Sequence, residues 1–390
     1  MIPNSIQKSI SAIILSGVFL NACNAQNNDS IPETQKVENK TNTSTFTKQA
    51  YRIEKVAILN EPWAMAQLVD GRLLVTEKKG ILKLFDPSTK QVIDILGVPK
   101  VVYGGQGGLG DIALHPDFEK NKLIYLSYAE VSQGVYGAVV VQGELDLSAK
   151  NPRIQNIKRI WEQVPKVSGQ GHYAHRILFD RAGKLWISSG ERQKFDPAQD
   201  MQSNLGKILR LNDDGTPAEG NPFTNQGEIA KQIWSLGHRN PLGIAFDGED
   251  KLWSVEMGPK GGDELNLIVR GENYGYPLVS NGDHYWGKSI PDHDTRPEFK
   301  APEISWTPVI SPSSLVFYQN ELFPNWKGKA LIGGLSSKAI VVVDTEHKPV
   351  IEVQRLAMKN RIRELEVAHN GSVWVLEDGE NAGLLKLLPE

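Results

Sequence analysis

One strand–turn–strand unit returns six times along this chain, and a repeat of that kind leaves few folds open. From Tyr51 onward an apolar run leads to a polar turn and then to a second run of alternating apolar residues. The second run reads Leu73-Leu-Val-Thr-Glu77, Ile124-Tyr-Leu-Ser-Tyr128, Leu185-Trp-Ile-Ser-Ser189, Leu252-Trp-Ser-Val-Glu256, Ala330-Leu-Ile-Gly-Gly334 and Val373-Trp-Val-Leu-Glu377. Four copies have a clear preceding partner, at Asp111–Asp117, Ile177–Asp180, Gly243–Asp247 and Leu365–His369. The spacing leaves room for four short strands per copy, the size of a propeller blade. The expectation is therefore an all-β chain folded as a six-bladed β-propeller. A two-sheet sandwich of this length would not return one unit six times. Glycine, abundant and spread throughout, suits the tight turns such a fold needs.

Loops on a rigid β scaffold are where binding groups usually sit. The stretch from Leu236 to Tyr276 holds two polar clusters separated by a strand, a turn and a strand. In the first, Arg239 and Asn240 offer a fork of donors and an amide, which suits carboxylates and carbonyls. In the second, Asp263 and Glu264 stand in a glycine-rich loop and offer hard oxygen ligands, which suit calcium. The plainer reading makes Asp263 and Glu264 solvated turn residues and Arg239 a surface donor. Gln106 sits between paired glycines, which allow close backbone approach to a ligand. His172, in Gly169-Gln-Gly-His-Tyr-Ala-His-Arg176, is a candidate base because imidazole titrates near neutrality. A structural histidine is the alternative. Glu191 and Arg192 follow the third copy. Arg361 and Arg363 share one strand face, since side chains alternate with period two. Two long irregular pieces, Met201–Phe223 and Asn281–Pro302, fit loops at one mouth of a propeller, and a short helix could begin near Ala198.

These residues, in this order, resemble the soluble quinoprotein sugar dehydrogenases of the glucose/sorbosone dehydrogenase family, and among them the periplasmic aldose sugar dehydrogenases. The resemblance runs from about Ala57 to Leu388. It rests on Gln106, Gly171-His172, Glu191, Ala198-Gln-Asp200, Gly206-Lys-Ile-Leu-Arg-Leu-Asn212, Asn221-Pro-Phe223, Gly237-His-Arg-Asn-Pro241, Gly258-Pro-x-Gly-Gly-Asp-Glu-Leu-Asn266, Asn273-Tyr-Gly-Tyr-Pro277, Phe323-Pro-x-Trp326 and Asn360-Arg-Ile-Arg363. It implies a six-bladed propeller that binds pyrroloquinoline quinone (PQQ) with Ca2+ and oxidises aldose sugars at C1 to lactones by hydride transfer. His172 would then be the catalytic base. Gln106, Glu191, Arg239, Asn240, Tyr285, Arg361 and Arg363 would surround the cofactor. Gly258 and Pro259, through their carbonyls, would help hold its calcium, with Glu264 and Tyr274 binding calcium in the same loop system. In much of the family a lysine that contacts the cofactor stands at the position of Ser336, with Lys338 here two residues later. His175 replaces a small residue, Met257 a common histidine and Glu191 an aspartate. The resemblance leaves the sugar and the electron acceptor open.

The first residues read as a targeting segment. Lys8 precedes an apolar run from Ile10 to Leu20 that is too short to span a bilayer as a mature helix. Leu20-Asn-Ala-Cys23 resembles the lipobox of bacterial lipoproteins, and Cys23 is the single cysteine of the chain. This implies a signal peptide at 1–22, acylation of Cys23 and a disordered tether at 23–48, with the propeller at 49–390. A signal peptide with an incidental cysteine is the alternative. By resemblance to lipoprotein sorting rules, Asn24 favours the periplasmic side of the outer membrane, the lipid being the only membrane contact. One cysteine allows no internal disulfide and no cysteine-based metal site. A net charge of -3 gives no sign of a nucleic-acid partner. Two other functions compete with the dehydrogenase. One is a calcium-dependent propeller lactonase, for which the clustered arginines have no use. The other is a non-catalytic lipoprotein that binds a sugar or a partner.

Overall fold

The computed structural model describes residues 46–148 and 150–390. The expected signal peptide, Cys23 and nearly all of the tether lie outside them. The described residues form six four-stranded antiparallel sheets. Strand β1 (Arg52–Leu59) comes first and is set apart. Blade 1 follows as β2 (Pro62–Gln67), β3 (Leu73–Glu77), β4 (Ile81–Asp86) and β5 (Gln91–Ile95). Blade 2 is β6 (Leu109–Leu114), β7 (Leu123–Ser132), β8 (Val135–Asp146) and β9 (Arg153–Glu162). Blade 3 is β10 (Ala174–Phe179), β11 (Leu185–Ser189), β12 (Lys207–Leu211) and β13 (Ile233–Leu236). Blade 4 is β14 (Pro241–Phe246), β15 (Leu252–Glu256), β16 (Asp263–Leu267) and β17 (Ile304–Trp306). Blade 5 is β18 (Pro312–Phe317), β19 (Ala330–Gly334), β20 (Ala339–Asp344) and β21 (Ile351–Ala357). Blade 6 takes β22 (Ile362–Val367), β23 (Val373–Glu377) and β24 (Ala382–Leu388), and β1 returns to complete it as the fourth strand. The six-bladed propeller expected from the repeat is the fold observed.

The repeated second run is the second strand of each blade. In β3, β11, β15 and β23 every residue is buried, so these strands are covered on both faces rather than one. The cover is the neighbouring sheet. Six apolar clusters occupy the six interfaces between adjacent blades, and one of them closes blade 6 onto blade 1 through Trp374, Leu376, Met65 and Val75. The core is thus a ring around the axis. Where a short helix was expected to begin near Ala198, the described residues hold none; a single 3-10 turn, Asp196–Ala198, ends there. Among the described residues no helix is long and apolar enough to cross a membrane.

The first strand of every blade breaks register near its start. The shifts fall at Pro62/Ala64, Leu109/Ile112, Ala174/Ile177, Pro241/Gly243, Pro312/Ser314 and Ile362/Glu364. Each is a bulge, which adds a residue to one strand and re-aims its side chain. The residues so displaced include Trp63, His175, Leu242 and Arg363, and all four line one cavity at the mouth of the ring.

Candidate active site

That cavity measures about 390 Å³, within the range of small-molecule sites. Its walls come from every blade. Gln106 and Gly105 approach from the loop before β6, Ala174 and His175 from β10, and Arg361 and Arg363 from the start of β22. The residue just past the second strand lines it in four blades: Lys78, Met257, Leu335 and Asp378. Three lining cations, Lys78, Arg361 and Arg363, face two lining anions, Glu61 and Asp378.

Asp378 ties the two arginines together. Arg361 Nε donates to its Oδ2 at 2.8 Å, and Arg363 donates to Oδ1 from Nε at 2.9 Å and from a terminal nitrogen at 2.7 Å. Burial alone would raise the Asp378 carboxyl, but the two guanidinium groups hold it below its ordinary value. The alternation read from the sequence therefore puts both arginines on one carboxylate, a partner not recognised there. The repeat carried a signal for it, since Asp378 and Lys78 both directly follow a second run.

His172 stands next to the residues that line the cavity. It has a positive φ of 47°, and its backbone N–H donates to Gln106 Oε1 at 2.7 Å. Its Nδ1 meets Glu191 Oε1 in a short contact. Burial lowers the His172 pKa, against the hydrogen bond it donates to Glu191. Burial also pushes Glu191 up, but His172 and the Phe195 N–H outweigh it and leave the carboxyl below its usual range. A carboxylate can only accept, so Nδ1 carries the proton and Nε2 keeps a free lone pair. This is the arrangement of a base oriented by a third group. Glu191 is fully buried, and its second oxygen accepts the N–H groups of Lys194 at 2.5 Å and Phe195 at 2.8 Å. Its place is therefore behind His172, away from the cavity wall. Arg192 secures the same loop from below. It donates to the carbonyls of Gly171 at 2.8 Å and Gly169 at 2.6 Å, with its guanidinium over Tyr173.

His175 does line the cavity, yet its Nδ1 and its ring face are both engaged. Its Nδ1 meets Ser127 Oγ at 2.7 Å, and its ring stacks on Trp63 with centroids 5.0 Å apart. Burial and the nearby Arg176 and Arg192 charges bring its pKa to about 3. Of the two histidines only His172 has a carboxylate behind it.

Arg239 and Asn240 open β14. Arg239 donates to the carbonyls of Met257 at 2.9 Å and Gly258 at 2.8 Å, while its buried Nε has no partner. Both side-chain atoms of buried Asn240 also lack partners. Leaving buried amides unpaired costs about 1–3 kcal/mol each, so these atoms fit an oxygen-rich ligand. Neither Arg239 nor Asn240 lines the cavity itself; Arg239 lines the small space beside it, with Met257 common to both. Tyr285 is exposed and lies over Arg239, with the guanidinium carbon 6.0 Å from its ring centre. Ser336 is outside the cavity: it is exposed, and its hydroxyl donates to the Val309 carbonyl at 3.2 Å. Leu335 forms the wall in its place, and Lys338 is exposed as well.

Three of the four residues expected at the metal, Gly258, Glu264 and Tyr274, line a space of about 10 Å³ together with Glu256 and Arg239, the size of one ion or water; Pro259 does not line it. Burial beside Glu256 raises the Glu264 pKa well above normal, and Asn266 Nδ2 is its hydrogen-bond donor, at 3.2 Å. A cation would relieve that repulsion. Among the described residues no three His, Cys, Asp or Glu groups converge as ligands. Calcium here would need backbone carbonyls, and Gly258, Pro259 and Tyr274 are of that type. The Tyr274 hydroxyl is turned away, donating to the Leu267 carbonyl at 2.5 Å.

The sequence profile described as Glucose / Sorbosone dehydrogenase matches residues 59–386. The aldose sugar dehydrogenase YliI of Escherichia coli (strain K12) is 36% identical over 342 residues, covering 85% of this chain and 91% of that protein. The crystal structure of the soluble aldose sugar dehydrogenase from Escherichia coli in the apo-form superposes with a TM-score of 0.81 at 35% identity, covering 87% of this chain and 100% of that one. The PQQ-bound aldose sugar dehydrogenase from Streptomyces coelicolor gives 0.73 at 27% identity, covering 87% and 99%. On the extent of these matches, this chain belongs to the glucose/sorbosone dehydrogenase family.

Proposed function

We propose that the chain is a PQQ-dependent aldose sugar dehydrogenase that oxidises the anomeric carbon of its sugar to a lactone. The observation that carries this is a neutral imidazole, oriented by a buried carboxylate, beside a cation-lined cavity. PQQ, when bound, supplies the acceptor for the hydride. His172 takes the proton of the C1 hydroxyl at Nε2, while Glu191 holds its Nδ1–H and steadies the charge that forms. Gln106 locks the His172 backbone and presents its amide at the cavity edge. Arg361, Arg363, Arg239 and Asn240 hold carboxylates and carbonyls of the cofactor, and Tyr285 covers Arg239. Gly258, Pro259, Glu264 and Tyr274 are the residues we assign to calcium. Both similarity to aldose sugar dehydrogenases and the unpaired polar atoms support this reading.

The test is reconstitution. Purified protein given PQQ and calcium should reduce a dye with aldoses, and neither component alone should suffice. Dye reduction unaffected by exhaustive chelation would remove calcium from the mechanism. Absence of quinone binding would remove the enzyme reading altogether. We also propose that the protein is tethered through acylated Cys23 to the periplasmic side of the outer membrane. Cys23→Ser should abolish incorporation of labelled fatty acid; label retained by the variant would reject the anchor. A single chain binds membranes only marginally, so stable attachment calls for several.

A further inference from the structure

The cations of the cavity are not equally free. Both arginines are hydrogen-bonded to Asp378. Glu61 accepts the Tyr103 hydroxyl at 2.6 Å and lies 3.5 Å from Lys79. Lys78 Nζ is 3.9 Å from Glu61, too far for a hydrogen bond, and donates none among the described residues. Its backbone, in contrast, is fixed. The Lys78 N–H donates to the Glu61 carbonyl at 3.0 Å, and its own carbonyl accepts Leu109 N–H at 2.9 Å. Burial lowers its pKa, so the ammonium has given up water without gaining a full partner. Position matters too. Lys78 occupies the same place in blade 1 that Leu335 occupies in blade 5, one residue past the second strand and on the cavity wall.

We propose that Lys78 binds a carboxylate of the quinone, and so supplies from blade 1 the cation that blade 5 does not bring to the cavity. This rests on the quinone reading above. A fixed backbone and a head that donates no hydrogen bond, held only by a long ion pair to Glu61 and the face of Tyr103, favour such a contact, because little backbone order is lost on binding and a charge-assisted hydrogen bond is gained.

The test is PQQ titration of the apo-protein, read by quenching of tryptophan fluorescence. Lys78→Met should weaken binding by about 10- to 100-fold, Lys78→Arg by much less, and Lys338→Met not measurably. A second measurement needs no variant. Amine labelling of the parent followed by mass spectrometry should show Lys78 protected by added PQQ while Lys79 stays reactive. Parent-like affinity in a folded Lys78→Met variant, or equal labelling of Lys78 with and without PQQ, overturns the proposal. A parent that binds no PQQ shows itself before any variant is made, and overturns the quinone reading together with this one.

Discussion

At the scale of single residues, His172 and His175 show how little a side chain's identity says about its work. Three positions apart, one is backed by Glu191 and the other is packed between Trp63 and Ser127. His172→Gln should lower the single-turnover rate by roughly 10²–10⁴ while leaving PQQ affinity near that of the parent; an unchanged rate would assign the base elsewhere. Only neutral His172 can accept a proton, and its pKa is lowered. Activity should therefore persist as pH falls through the ordinary histidine range and fail below it. A kcat/KM profile already half lost above pH ~6.5, the free-histidine value, would contradict this. His175 makes a separate prediction about stability. Its folded pKa of about 3 lies below the unfolded value, so below neutrality the unfolded chain binds more protons. Stability should fall as pH drops from about 6.5 towards 3, by up to about 1.4 kcal/mol per pH unit from this group. Urea midpoints at several pH values, for the parent and His175→Gln, should show the slope reduced in the variant. The sequence placed His172, Gln106 and both cavity arginines near one mouth. It could not show that Glu191 serves the histidine, because that depends on a hydrogen bond across the hairpin of β10 and β11. Nor could it show Ser336 turned outward, which is a matter of one turn's geometry.

The element that organises the site is the bulge at the start of each inner strand. Strand existence was legible because second strands are buried on both faces and read as apolar runs. Bulges were not, because an added residue leaves the local pattern nearly intact and appears only against its partner strand. In blade 2 the bulge holds Gly110, where an added Cβ would lie 1.8 Å from the His175 ring. Gly110→Ala should destabilise strongly through this overlap. The double variant Gly110→Ala/His175→Gly should recover most of the loss, since glycine also suits the φ of 55° at position 175. Melting curves for the four proteins form a double-mutant cycle. Simple additivity would mean that the ring and the glycine do not share the space.

Across the whole molecule, one side chain on blade 3 reaches every other blade. Arg176 donates to the Leu242 and Ser313 carbonyls, each at 2.6 Å, pairs with Asp111 and Glu364, and stacks on Trp63 at 4.1 Å. It crosses the axis between the mouth and a second cavity of about 640 Å³ on the far side. Arg176→Met would leave buried carboxylates without their cation, a change that typically costs about 3–5 kcal/mol. Urea unfolding should show a loss of that order; a loss below about 1 kcal/mol, the size of a surface pair, would mean that the blades hold together without this tie. The repeat made the ring legible in the sequence. Its central arginine had no such signal, being a single residue in one copy.

The strand that completes blade 6 sets an order in time. Strand β1 is among the first parts of the ring to be synthesised, and it pairs with β24, which is among the last, from Arg52↔Leu388 to Leu59↔Ala382. Most of its side chains are exposed, so it has little to bury before that partner exists. The closing joint therefore cannot form on a growing chain, however many blades have been made. Chains arrested before Ala382 should keep Arg52–Leu59 open to protease, and full-length chains should gain protection there in a single step. Protection of β1 in the arrested chains would show that it finds another resting place first.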